Sequence, residues 1–592
     1  MLVCRPVAAA MQGGFAAGPK HEVRAVWLTT LQGLDWPHAR ATGDVARRQQ
    51  QQELCQMLDA LHGAGINTIL LQTRVRGSVI YPSAIEPWDQ ALTGTTGRDP
   101  GYDPLAFAVE EAHRRGMELH AWVVTIPCFK VSQARQMGAR SVLTTHPELC
   151  RRHGDTYYLD PGVPATADYL ASICREITER YDIDGIHLDY IRYPEQAASF
   201  GDAATYRRYA RRGEERAAWR RRNITHIVRT IYHAVHDIKP WVRVSSSPVG
   251  KYSDLARYSS RGWNARDAVH QDAQAWLSEG IHDMLFPMMY FDGDAFYPFA
   301  LDWAEHSAGR TVVPGLGIYF LHPRERNWPL SVIERQVSCL RQYGLGGQCY
   351  FRAAFLTADT KGLLGYLQRG AYAHPALVPA ATWIDSIAPT PPSALTLRQL
   401  SAATAVLSWS PSADNLGGGV RYNVYASATW PVDTSDPANI VATALCDTLV
   451  SLPLHAVQRQ GLHLAVTAMD RCNNESAAVQ ATQPHVMPLP AGLLHCDSRG
   501  VHLPPVDASF VVITDMGGRR LLRARPDSIV GVRRLPAGFY RVYAISGNGR
   551  QRRTGRIGEF WKGGLTPAGS FVGSLMPSPS PSVKEDSRRS TR

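Results

Sequence analysis

No run among the 592 residues approaches the roughly 20 consecutive apolar positions that a helix needs to span a bilayer. The chain therefore reads as soluble or held at a surface. Its ten cysteines are scattered from Cys4 to Cys496 without a C-x-x-C pair, which leaves no ligand set for structural zinc and no tight disulfide framework. The first 21 residues lack a basic segment followed by an apolar export core, so they are expected to be unstructured or the remnant of an export segment that starts upstream. Zinc fingers, phosphate-cradling glycine loops and the aromatic motifs of RNA-binding modules are missing too, so the formal charge of +11 has no nucleic-acid motif beside it. Much of that excess lies in Arg207 to Arg222 (RRYARRGEERAAWRRR), where Glu214 and Glu215 are interleaved and the spacing reads as one exposed helix face. No nucleic-acid partner, no metal and no cofactor is expected, and oligomeric state is left open.

What is present is a globular composition, 44% hydrophobic and 19% charged, in a chain long enough for two to four domains. From Val23 onward, short β-branched and aromatic runs alternate with amphipathic stretches, the pattern of a parallel sheet with crossover helices. The runs are Val23 to Thr29, Asn67 to Gln72, Glu118 to Val124, Gly185 to Asp189, Val242 to Ser246, Met284 to Tyr290, Thr311 to Gly317 and Gly347 to Phe351. Eight such units predict an α/β fold, a (β/α)8 TIM barrel over residues 22–372, followed by all-β sandwich domains. The cluster Pro389, Pro391 and Pro392 ends the helical periodicity. Residues 387–485 then resemble a fibronectin type III sandwich, with Trp409 in the core position and Thr467-Ala-Met-Asp-Arg-Cys-Asn-Asn-Glu-Ser476 as its late strand and turn. A small β-domain is expected over 488–561 and a disordered Pro/Ser-rich tail over 577–592.

Catalytic groups of such barrels project from the C-terminal strand ends. The candidates there are Trp27, then Gln72 and Arg74, His120 and Trp122, His187, Asp189, Tyr190, Arg192 and Tyr193, Tyr290, and Tyr350. Glycosidic cleavage takes two carboxyl groups, one protonating the leaving oxygen and one acting as nucleophile or base. Asp189, ending a buried-looking strand in Gly185-Ile-His-Leu-Asp-Tyr-Ile-Arg-Tyr-Pro194, is the first. Asp292 is preferred as the second over Asp294, Glu195 and Asp160, because it can face Asp189 across the barrel mouth. Trp27, Trp122, Tyr190, Tyr193 and Tyr290 suit either sugar-stacking platforms or core. Arg74 and Arg76 need partners if buried, and can pair with Asp189 or bind an acidic substituent. His120 and His187 are isolated among apolar neighbours and form no ligand cluster.

Five segments in order carry a family resemblance. They are Glu22-Val-Arg-Ala-Val-Trp-Leu-Thr-Thr30 with Asp35-Trp-Pro37; Gln72-Thr-Arg74 with Tyr81-Pro-Ser83 and Glu86-Pro-Trp88; Pro100-Gly-Tyr-Asp-Pro104 with His120-Ala-Trp122; His146-Pro147 with Leu159-Asp-Pro-Gly-Val-Pro164; and Tyr181 to Pro194. The chain resembles glycosyl-hydrolase-like family ten, formerly a domain of unknown function. The resemblance implies a TIM barrel, a cell-envelope or secreted location, and a polysaccharide substrate, with cleavage of bacterial cell-wall glycan strands the expected activity. The chain has Val124-Thr-Ile-Pro127 where relatives often carry Asn-Pro-Tyr-Arg, and Asp189-Tyr190 where many carry paired aspartates.

Overall fold

The computed structural model describes residues 18–258, 263–399, 404–453 and 461–481, with parts of 494–562. The expected unstructured start falls outside the described residues for its first 17 positions, as does the whole of 577–592. Each expected barrel strand is present: β1 (Val23–Leu28), β2 (Thr68–Arg74), β3 (Glu118–Val124), β4 (Gly185–Asp189), β5 (Arg243–Ser246), β6 (Met284–Leu285 and Met288–Met289), β7 (Thr311–Val312 and Gly315–Leu316) and β8 (Gly347–Phe351). The interruptions of β6 and β7 fall at Phe286-Pro287 and Val313-Pro314, because proline has no N–H for the ladder. All neighbours pair in parallel, from β1 through β2, β3, β4 and β5 to β6. Both halves of β6 pair with β7, which joins β8, and β8 pairs with β1, so the sheet closes.

Alternation sorts the strand residues into two cores. Val26, Leu28, Ile69, Leu71, Ile186, Leu188 and Val244 face the surrounding helices. Val23, Ala25, Trp27, Leu70, Trp122, Val124, Met284 and Cys349 fill the lumen. The helical layer includes α1 (Asp44–Gly63), α2 (Pro104–His113), α3 (Ala165–Arg180), α4 (Arg216–His236) and α5 (Leu330–Gln342). The entry to α2 is written in the sequence as Asp103-Pro104: the Asp103 carboxylate accepts the Ala106 N–H at 3.1 Å, and proline takes the first helical position. Closure at β8 depends on Gly347, whose φ of +145° is foreign to L side chains and whose added Cβ would stand 2.0 Å from the Val23 carbonyl oxygen. Gly347→Ala is expected to cost about 2–3 kcal/mol, read as a lower denaturation midpoint.

The arginine-dense stretch departs from the single exposed helix expected of it. It forms Ala203–Tyr209, then a break containing Gly213 (φ +77°), then α4. Arg216 and Arg220 both pair with Asp202, and Arg222 pairs with Glu214 at 2.7 Å. Arg220 is buried under Tyr193, its guanidinium 4.9 Å from the ring centre.

The chain divides into two compact units, Leu2–Val486 and Met487–Arg592. Within the first, residues after the barrel form two antiparallel sheets. One holds Ser393–Gln399, Thr404–Ser410 and Leu449–Pro453; the other holds Ile440–Leu445, Arg421–Ser427, His463–Met469 and Val479–Ala481. Trp409, Tyr422, Leu407, Val424 and Val466 share their core. These sheets meet the N-terminal ends of the barrel strands, the end away from Asp189. Asp184, just ahead of β4, accepts from Arg421 at 2.8 Å and Arg471 at 3.2 Å, from His113 at 2.7 Å, and from the Leu119 N–H at 2.9 Å. Glu118 pairs with Arg243 and accepts from Asn473 at 2.9 Å. In the second unit, Phe510–Thr514, Arg520–Ala524, Gly538–Ser546 and Arg553–Lys562 form one antiparallel sheet. Among the described residues no helix is long and apolar enough to cross a membrane.

Candidate active site

Asp189 ends β4 at the mouth of the barrel with its side chain turned into the lumen and 5% of its surface exposed. One carboxylate oxygen accepts from the Tyr190 N–H at 2.7 Å and the Ser247 hydroxyl at 2.8 Å, and the other accepts from the Trp122 indole N–H at 3.1 Å. Burial nevertheless raises its carboxyl above the ordinary carboxylate value, outweighing nearby Arg192 and these three donors, which all favour the charged form. The backbone is held equally firmly. Thr125 gives both its N–H, at 2.9 Å, and its hydroxyl, at 2.8 Å, to the Asp189 carbonyl.

Thr125 is itself braced by Arg74. That guanidinium is fully buried, forks onto Glu86 at 2.6 and 2.7 Å, and donates to the carbonyls of Val124 and Thr125. Arg74 thus pairs with Glu86 and not with Asp189, and it acts on the site by fixing the loop after β3. Gln72 likewise organises a loop. Its amide oxygen accepts from the Thr29 hydroxyl at 2.6 Å and from the N–H groups of Thr30 and Leu31 at 3.0 and 2.8 Å.

Below Asp189 the lumen is aromatic. Trp27 is 1% exposed and makes edge contacts with His187, Phe286, Tyr290 and Phe351 at ring separations of 5.9 to 6.5 Å. Its indole N–H points to His187 Nε2 at 3.1 Å, and His187 Nδ1 lies 3.0 Å from the Ser245 hydroxyl. The pattern assigns the proton to Nδ1. Burial beside His120 and His282 holds this imidazole well below its ordinary pKa, so it is neutral. His120 sits deeper still, fully buried and 3.2 Å from Glu118, at the floor.

The rim is more open. Tyr290 and Phe351 are half-buried with ring centres 5.3 Å apart, and Tyr319 lies 5.8 Å from Tyr290. Tyr350 is turned away from the lumen: its hydroxyl meets that of Tyr372 at 2.7 Å in the helical layer, and Phe351 takes the lumen-facing place. Tyr193 is fully buried against Phe200, His270 and Arg220. Tyr190 holds a left-handed backbone, φ +52°, with Arg192 stacked 4.4 Å over its ring. Asp292 is exposed just beyond β6, with no side-chain hydrogen bond among the described residues. A cavity of about 630 Å³ is walled by Arg76, His153, Asp155, Tyr158, Tyr190, Arg192 and Glu195 among others, so the segment that follows Asp189 lines it while Asp189 itself does not. Ser247, Phe351 and Tyr319 are the site residues that sequence reasoning missed. The triple serine ending β5 was a visible signal of polar groups at a strand end, and alternation along β8 was the signal for Phe351.

A family model for glycosyl hydrolase-like 10 matches residues 22–322. The chain belongs to the glycosyl hydrolase-like 10 family. That family match runs from β1 through β7 and leaves β8, with Phe351, to complete the barrel beyond it. Two curated relatives share the resemblance. The chain is 30% identical over 393 residues to glycosyl hydrolase YngK of Bacillus subtilis (strain 168), covering 63% of this chain and 76% of that protein. It is 35% identical over 287 residues to glycosyl hydrolase DigH of Escherichia coli (strain K12), covering 45% of this chain and 65% of that one. Among solved structures, the PgaB (BpsB) glycoside hydrolase domain from Bordetella bronchiseptica aligns over 60% of this chain and 99% of its own, at 16% identity and a TM-score of 0.42.

Within this family member the Trp122 indole is a direct handle on Asp189. Trp122→Phe removes a donor to the charged form, so the carboxyl is expected to rise further. Titration of the Asp189 carboxyl followed by carbon-13 NMR checks this: its midpoint should move to higher pH in the variant, and an unmoved midpoint would rule the handle out.

Proposed function

We propose that this protein hydrolyses glycosidic bonds of bacterial cell-envelope polysaccharide, namely peptidoglycan glycan strands, with Asp189 as the proton donor. The observation that carries the reading is a buried carboxyl at the mouth of a barrel from a glycosyl hydrolase-like family, raised by burial and aimed by Trp122, Ser247 and the Tyr190 N–H. A raised carboxyl is the form that can protonate a leaving oxygen near neutral pH. Tyr290, Phe351 and Tyr319 offer rings at the rim on which sugars can stack. Asp292 is the second carboxylate in this reading, exposed on the β6 side of the mouth. Glu195, on the cavity wall, is the competing residue. The family resemblance supports the peptidoglycan assignment and the extracytoplasmic location, and we read the sandwich after the barrel as a fibronectin type III module from its Trp409 core and Asn473-Asn474-Glu475-Ser476 turn.

Reducing ends released from purified, peptide-free glycan strands test the reading. Loss in Asp292→Asn with retention in Glu195→Gln assigns the second carboxylate, and the reverse result reassigns it. The family resemblance supports a second reading, a glycan-binding scaffold, because it implies paired aspartates where this chain has Asp189-Tyr190. Strand binding with no product from the unaltered protein would sink the enzyme and leave that scaffold.

A further inference from the structure

Seven arginines are buried among the described residues: Arg24, Arg74, Arg192, Arg220, Arg243, Arg421 and Arg471. Six of them meet a carboxylate, respectively Glu22, Glu86, Asp202, Glu118, and Asp184 for the last two. Arg192 is the exception. It is 5% exposed, its guanidinium stacks 4.4 Å over Tyr190 and 5.7 Å from the Trp263 ring centre, and its Nη1 is buried without an acceptor among the described residues. A desolvated cation with no hydrogen-bonded anion is costly, and such a site is completed by an anionic group brought from outside. Asp189 does not fill the role at bonding distance, because its oxygens are engaged by Trp122, Tyr190 and Ser247.

Arg192 faces the 630 Å³ cavity together with Arg76, a half-buried side chain on a left-handed residue (φ +53°) that has no ion pair among the described residues. The acids on the same wall, Asp155 and Glu195, are both exposed, and Asp155 lies 3.4 Å from Lys130. The inner end of the cavity is therefore cationic. We propose that it is a subsite for a carboxylate carried on one sugar of the glycan, gripped by the planar fork of Arg192 with Arg76 as the second cation. This rests on the reading that the barrel mouth takes a glycan, and it makes that glycan an acidic one.

The test is calorimetry on the full chain carrying Asp189→Asn, so that nothing turns over. Peptide-free peptidoglycan strands, whose carboxylate is a lactyl ether, are compared with the same strands after carboxyl reduction; oligogalacturonate and its carboxyl-reduced form make the uronate arm. The expected result is about tenfold tighter binding of at least one acidic glycan than of its neutral counterpart at low salt, shrinking as salt rises. Arg192→Gln should erase the difference and Arg76→Gln should reduce it. Equal binding of acidic and neutral forms, or a preference that survives Arg192→Gln, overturns the subsite. If Arg192→Gln does not fold, the difference in the parent and its reduction in Arg76→Gln decide. Arg192 also acts electrostatically on the Asp189 carboxyl, but every protein compared carries Asp189→Asn, so that effect does not enter. A preference for the acidic strand without reducing ends from the unaltered protein refutes the hydrolase and keeps the subsite; equal release from acidic and reduced strands does the opposite.

Discussion

Asp189→Asn is expected to lower glycan hydrolysis by about 10²–10⁴-fold while leaving the barrel folded. The substitution keeps size and shape. The amide oxygen can still accept from the Tyr190 N–H and the Ser247 hydroxyl, and only the position facing the Trp122 N–H changes from acceptor to donor. What is lost is the proton. If Asp189 is the donor, activity is present below its pKa and disappears as pH rises through it, and burial puts that limb above the ordinary 3.8 of an aspartate. Activity that instead rises with pH through the same limb would make Asp189 the nucleophile or base. A glycoside with a nitrophenolate leaving group needs little protonation, so the variant should retain far more activity on it than on the natural glycan. Equal losses on both would remove the proton-donor role.

The elements whose boundaries the sequence reveals are those where alternation is unbroken. Glu118 to Val124, Gly185 to Asp189 and Gly347 to Phe351 are read to the residue, because a period of two and a flanking turn define them. In β6 and β7 the hydrophobic run continues through Pro287 and Pro314, and only the backbone ladder stops there. At β8 the sequence names Tyr350 as a strand-end candidate. Counting alternate residues from Gly347 gives Cys349 and Phe351 as the lumen face and turns Tyr350 toward the helical layer. Arg74 illustrates the other limit. Its need for a partner was legible, but Glu86 reaches it only because the loop after β2 folds back, with Tyr169 of α3 donating to the same carboxylate at 2.8 Å. The arginine-dense stretch was read as solvated because the sequence does not show that Asp202 turns inward to meet it. Least legible is the floor of the barrel. Asp184 and Arg421 are 237 positions apart, and neither has any local pattern that points to the other.

Asp184→Asn is expected to destabilise the unit Leu2–Val486 by about 3–5 kcal/mol near neutral pH, more than any substitution at the barrel mouth. The cost comes from what is left behind. Arg421 and Arg471 both donate to one oxygen of Asp184, with side chains 7% and 4% exposed, while His113 and the Leu119 N–H share the other oxygen. Neutralising the carboxylate strands two buried guanidinium groups, although Arg471 keeps Asp182 at 2.7 Å. The effect should depend on pH in a set direction. Its cationic neighbours hold the Asp184 carboxyl well below the ordinary 3.8 despite burial, so its stabilisation is complete above that value and is lost as pH falls through the lowered one. Glu118, lowered to about 2 by Arg243 and His120 against burial, behaves alike, its share fading between the ordinary 4.5 and about 2. Denaturant midpoints of the unaltered protein and Asp184→Asn should therefore lie far apart at pH 7 and converge in acid. A gap that stays constant down to pH 2 would mean that shape and not charge joins the sandwich to the barrel. Convergence would make the sandwich an electrostatic closure of the barrel floor, so that a barrel cut free of it would carry Glu118, Asp184 and Arg243 without Asn473, Arg421 and Arg471, the partners that now complete their burial.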